Sequence, residues 1–237
     1  MQSHQQSIAI LRSKSKENGN RNIVLNTTAP FIHRGMTTEE CRTICTSSII
    51  PIREKAFFRV IYETQLRPFE ALNMRIENLN KITGELVALR TKGKHNRWSG
   101  KTYELPRHVF VTPNTLEMLK TLISNRKKGY IFEGRVKGKP ISKRYMQEQI
   151  DKYARLLSIQ QLKQYTEDGR EIPLITLMAL RKAGERHHDG NGGDASLSAQ
   201  ASGHTMRTKV QYYQNEVDWE AVHKSYMVNH PAFVERW

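Results

Sequence analysis

Near residue 84 the spacing of apolar side chains changes. Before it, "IREKAFFRVIYETQL" (52–66) sets Ala56, Phe57, Val60 and Ile61 at helical intervals. After it, "ELVALRTKGKHNRWSGKTYELP" (85–106) reads as strand, basic turn and strand closed by Pro106, with a further short strand over 108–111. The flanks are helical. Thr37 and Glu40 form a capping box for a helix running to about Ser47, and Pro68 opens a helix over "PFEALNMR". Pro113 opens another, to about Lys127, and "GYIFEG" is a short strand or loop. The basic loop "GRVKGKPISKR" leads into a helix ending near Ile159, and 160–172 is a polar, exposed stretch. Helices are expected over 176–188, 195–202 (with Asp194 as N-cap) and 205–227, the last broken near Asn215. The sum is a mainly α chain with a small antiparallel β-sheet, an α+β fold.

The length of 237 residues suits one good-sized domain with appendages. Residues 1–36 are polar, and Glu17 is their only acid against Arg12, Lys14, Lys16, Arg21 and Arg34, which reads as a flexible basic arm or linker. The domain is expected over 37–227, with 228–237 a tail. Charge decides the class of partner: 38 Lys and Arg against 23 Asp and Glu leave +15, which favours a polyanion, nucleic acid before an anionic membrane. No apolar run approaches the roughly 18 residues of a membrane span, and the N-terminus shows no signal-peptide pattern. Cys41 and Cys45 stand four apart with no second ligand pair nearby, so they read as core thiols rather than a metal site. In "HHDGNGGD" the adjacent histidines point to different helix faces and no calcium-loop spacing is kept, so no metal is expected there.

"GHTMRTKVQYYQ" (203–214) carries two tyrosines shortly after a histidine, among basic side chains. Val210, Tyr213 and Val217 share a helical stripe, so periodicity alone puts Tyr213 in a core. A phenol beside cations can also attack a phosphate. Cleavage of a DNA strand through such a covalent link needs a nucleophile, donors fixed on the non-bridging oxygens and an acid for the leaving 5′-oxygen. Arginine suits the oxygens because its planar fork stays charged, and lysine or histidine can supply the proton.

Five motifs in order carry a resemblance. "TQLRPFEALNM" (64–74) resembles the first signature of the tyrosine recombinases, the phage-integrase and Xer-like family, and puts Arg67 on its first catalytic arginine. "TKGKHNRW" resembles the family's β-hairpin turn with its catalytic lysine, giving Lys92, with Lys94 in reserve. "TLMALR" and "SGH" resemble the second signature, giving Arg181 and His204. Arg181 precedes His204 by 23 residues, and Tyr213 follows His204 by nine, the family's usual spacing, so Tyr213 takes the nucleophile position. Two residues depart from the pattern. Gln65 replaces a glycine, harmless where the backbone is helical, and Met178 stands where the family usually has histidine or lysine.

The resemblance implies the tyrosine recombinase catalytic-domain fold and cleavage of double-stranded DNA through a 3′-phosphotyrosine, without metal or ATP. Arg67, Arg181 and His204 would hold the phosphoryl oxygens, and Lys92 would protonate the leaving oxygen. It further implies a tetramer on two DNA duplexes, with the C-terminal segment docking on a neighbour. The location would be cytoplasmic or nucleoid-associated, or nuclear in a eukaryotic host. A type IB topoisomerase uses nearly the same residues, and a DNA-binding protein with a decayed site is the non-enzymatic reading, with Met178 as its best support.

Overall fold

The computed structural model describes residues 35–89, 94–95, 102–103, 106–165, 169–202, 219–235 and 237. They fall into two units, a small one at 160–174 and a main one formed by 35–159 and 175–237. The small unit holds an antiparallel pair, β5 (Leu162–Tyr165) and β6 (Glu171–Pro173). The sequence reading had only a polar stretch there, because alternating residues such as Lys163 and Gln164 give no apolar face to detect.

In the main unit, α1 (Thr38–Thr46) begins at the expected capping box: Thr37 Oγ1 accepts from the Glu40 amide at 3.2 Å, and Glu40 Oε2 accepts from the Thr37 amide at 2.8 Å. Its inner face buries Cys41, Ile44 and Cys45. Both cysteines are core thiols, and burial pushes Cys45 up to about 12.

Helix α2 (Ile52–Thr64) is buried on nearly every face and packs against α1, α4 (Pro113–Ile123) and α6 (Leu177–Gly190). Its apolar residues form the core with Phe132, whose ring meets Phe57 edge-on at 5.1 Å. Its buried charges are paired: Arg59 meets Glu63 at 3.1 Å and donates to Thr115 Oγ1 at 2.6 Å, while Glu63 accepts from the Thr112 amide at 2.9 Å. That network anchors the N-terminus of α4. Gly184 lets α6 lie against α2, since a Cβ there would sit 2.1 Å from the Tyr62 carbonyl oxygen.

Among the described residues the strands of this unit form two separate antiparallel pairs instead of one sheet. β1 (Glu85–Leu89) pairs with β4 (Pro106–Phe110) in the register Glu85↔Phe110 to Leu89↔Pro106, and β2 (Lys94–His95) pairs with β3 (Thr102–Tyr103). Pro106 therefore opens a strand instead of closing one, which its missing N–H permits at a strand's first residue. Helix α4 stops at Ser124, where φ is 50°, short of the expected Lys127, and Arg126 donates to the Leu122 carbonyl at 3.1 Å. The remaining helices are α3 (Pro68–Leu72), α5 (Lys143–Leu156), α7 (Ala195–Ser202), α8 (Trp219–Asn229) and α9 (Pro231–Val234). Asp194 caps α7, accepting from the Ser196 amide at 2.6 Å. Of the helix expected over 205–227, residues 219–227 are described and belong to α8, while 205–218 lie outside the described residues.

The tail lies on its own chain. Trp237 stacks on Tyr62 at 5.4 Å, and its carbonyl oxygen accepts from Arg59 and from Asn114, each at 2.8 Å. His230 locks the joint: its Nε2 donates to the Tyr62 carbonyl at 3.1 Å, and its Nδ1 accepts from the Ala232 amide at 3.3 Å. Both ring nitrogens are thereby committed to the neutral form, and burial holds the pKa from its ordinary 6.5 down to about 3. The unfolded chain takes up this proton first, so stability from His230 is full above about pH 6.5 and is lost as pH falls towards 3. We expect a loss of about 2 kcal/mol between pH 7 and 5 from this residue. Urea unfolding of wild type and His230→Asn across that range checks it, because asparagine keeps a capping acceptor without titrating and should flatten the slope.

Candidate active site

The site is built where α2 ends. The chain must reverse into α3, and it does so through Gln65 at φ 55°, ψ 22°. The backbone there is left-handed, so the helical condition under which the substitution would be harmless is not met, and glutamine takes on roughly 1–2 kcal/mol of strain that glycine would avoid. The turn carries the Gln65 carbonyl to Arg181, whose Nε donates to it at 2.7 Å. Arg67 follows as the N-cap of α3.

Arg67 and Arg181 are brought together. Arg181, 3% exposed on α6, also donates through Nη2 to the Ser202 carbonyl at 2.7 Å, at the C-terminus of α7. Burial, and then the nearby Arg67 cation, push its pKa down from the ordinary value. Arg67 keeps 32% of its side chain exposed and is aimed by Glu70: Glu70 Oε1 accepts from Arg67 Nη1 at 3.1 Å, and Oε2 accepts from the Arg67 amide at 2.8 Å. Glu70 is fully buried. Burial raises its pKa, but Arg107 and then Arg67 outweigh that and leave it below the ordinary value. Two like charges held at one corner repel each other, and an anion bound there relieves the repulsion.

Sequence reasoning missed Arg107. It lies buried on β4, paired with Glu70, and its Nη1 donates to the Ala201 carbonyl at 2.8 Å. The signal was present: Arg107, Val109 and Val111 alternate along one inward face. An arginine on an apolar stripe needs a partner inside.

Met178 sits in the first turn of α6, one turn before Arg181, and is 39% exposed. A thioether there offers no proton. His188 does not replace it, for it lies about 15 Å further along the axis and bonds Ser225 Oγ through Nε2 at 2.9 Å. His187, for its part, meets the Tyr62 hydroxyl through Nδ1 at 3.0 Å. Lys92, His204 and Tyr213 lie outside the described residues, as does Tyr212. The backbone of Lys94 is described, in β2 opposite Tyr103.

The basic loop is an exposed turn closed by a bridge between Glu133 and Pro140, with the Gly138 amide donating to Glu133 Oε1 at 2.6 Å. It displays Arg135, Lys137, Lys139, Lys143 and Arg144 to solvent.

Among solved structures the chain is similar to the XerA recombinase, at 17% identity and a TM-score of 0.56, over 85% of this chain and 67% of that one. It is similar to the integrase of mycobacterium phage Brujita at 12% identity and a TM-score of 0.60, over 93% and 68%. The XerH site-specific recombinase, bound to difH substrate in a pre-cleavage complex, matches at 17% and 0.54, over 87% of this chain and 53% of its own. The chain thus spans about two thirds of the first two and about half of the third, and the fold is that of a tyrosine recombinase catalytic domain. The model of the phage integrase family matches residues 34–220, and the chain belongs to that family. No curated protein matches it by sequence.

Proposed function

We propose that this chain is the catalytic part of a site-specific DNA recombinase or integrase. The observation that carries the reading is the pair of guanidiniums, Arg67 and Arg181, fixed at one corner in a member of the phage integrase family. The Tyr213 phenol gives up its proton to solvent as its oxygen attacks the scissile phosphorus, the bond to the 5′-oxygen breaks, and Lys92 gives a proton to that oxygen. Arg67, Arg181 and His204 hold the non-bridging oxygens. The ester keeps the energy of the phosphodiester, so the reading calls for neither metal nor ATP. The net charge of +15, the exposed basic loop and the XerH structure's difH substrate support double-stranded DNA as the partner. Assembly as a tetramer, and a place on the nucleoid, belong to the same reading. No described helix is long and apolar enough to cross a membrane.

A second reading, DNA binding by a decayed site, is favoured by Met178 alone. General acid–base help is typically worth 10²–10⁴-fold, so a site without a proton carrier at 178 is expected to be slow, not dead. The deciding assay incubates the protein with a nicked suicide DNA duplex and resolves covalent adduct on a denaturing gel. Slow adduct formation, speeded by Met178→His, supports the recombinase. No adduct from either protein, with DNA still bound, supports the decayed site. Relaxation of supercoils by a monomer without synapsis points to type IB topoisomerase chemistry.

A further inference from the structure

We infer that Arg107 is a positioning residue for strand cleavage, a third arginine that sets the other two without touching DNA. This rests on the strand-transfer reading above. The contacts form a closed ring. Gln65, at the end of α2, gives its carbonyl to Arg181 on α6. Arg181 reaches on to the Ser202 carbonyl at the end of α7, and Arg107 on β4 takes the neighbouring Ala201 carbonyl. Arg107 also pairs with Glu70, and Glu70 holds Arg67 by its amide and its guanidinium, two residues after Gln65. Five elements meet in this ring, and Arg107 is the member that joins the Arg67 half to the α7 half.

The chemistry explains why arginine is needed. The last carbonyls of a helix carry partial negative charge and lack partners within the helix, so cations there are favourable. Adjacent carbonyls, Ala201 and Ser202, each receive one guanidinium, which fixes the last turn of α7, two residues before His204 in the sequence. A planar fork can hold a carbonyl and a carboxylate at once, whereas an ammonium on a flexible stem is a point charge. Without Arg107, Glu70 would be shared differently, and Arg67 would lose its fixed aim at the phosphoryl oxygen.

The test uses the full chain with Arg107→Lys and Arg107→Met. Each is given two nicked duplexes, one with an ordinary scissile phosphate and one with a methylphosphonate, which lacks one non-bridging charge. Misplacement of reacting groups by about 1 Å can cost about 10²-fold, so adduct formation by Arg107→Lys on the phosphodiester should fall by that order while DNA affinity stays within a few-fold. On the methylphosphonate, where less charge awaits neutralisation, the deficit relative to wild type should shrink about tenfold or more. The ratio between substrates is independent of how much protein is folded, so it reads positioning even if Arg107→Met is unstable. Equal deficits on both duplexes would reduce Arg107 to a structural role, and wild-type rates from Arg107→Lys would remove even that. A wild type that forms no adduct on the phosphodiester overturns the strand-transfer reading itself, and this inference with it.

Discussion

Tyr213→Phe is expected to abolish the covalent protein–DNA adduct and to leave DNA affinity within a few-fold of wild type. One oxygen atom is removed. If that oxygen is the nucleophile, no neighbouring group replaces it, because cleavage needs a new bond to phosphorus and not merely a charge nearby. Affinity should hardly move, because it rests on lysine and arginine contacts with phosphates, and those depend on salt and not on one phenol. Gel resolution of adduct, beside a binding titration at two salt concentrations, reads both quantities. Tyr212→Phe is the control. It should cleave, and if it is the lethal change instead, the nucleophile lies one residue earlier than the spacing from His204 places it.

Arg181→Lys should slow single-turnover cleavage by about 10³-fold. Removing one preorganised donor from a developing oxyanion typically costs about 10²–10³-fold. Arg181 does more than donate. A guanidinium carries five N–H groups in one plane, and this one holds the Gln65 and Ser202 carbonyls while facing the corner shared with Arg67. Lysine keeps the charge but cannot span both carbonyls, so the left-handed turn at Gln65 and the end of α7 should both loosen. Rapid-quench measurement of adduct formation gives the rate, and a rate within threefold of wild type would show that charge alone suffices there.

The legible parts of the fold were those with local chemistry. The capping box at Thr37 and Glu40, the prolines at 68 and 113 and the Asp194 cap each leave a signature in adjacent residues, and each begins a helix in the structure. Features set by distant partners were not legible. Gln65 takes a left-handed conformation because the chain must turn from α2 into α3, and nothing about a glutamine announces that. The β5–β6 pair has no apolar alternation to betray it.

The site divides in the same way. Arg67 and Arg181 were found by motif, and the structure brings them together. Arg107 fell in the gap left by a strand drawn to end at Pro106 and another drawn to begin at 108, although its alternation with Val109 and Val111 marked it as buried. Its partners, Glu70 and the Ala201 carbonyl, are 37 and 94 residues away in sequence, beyond the reach of any local pattern.

Locating the bond between protein and DNA tests the whole reading most directly. Wild-type protein is trapped on a nicked suicide duplex, the complex is digested with protease and nuclease, and the modified peptide is sequenced by mass spectrometry. The expected product carries a nucleotide through its 3′-phosphate on the phenolic oxygen of Tyr213. DNA that binds without yielding any modified peptide, or a nucleotide found on a residue other than Tyr213, would contradict it.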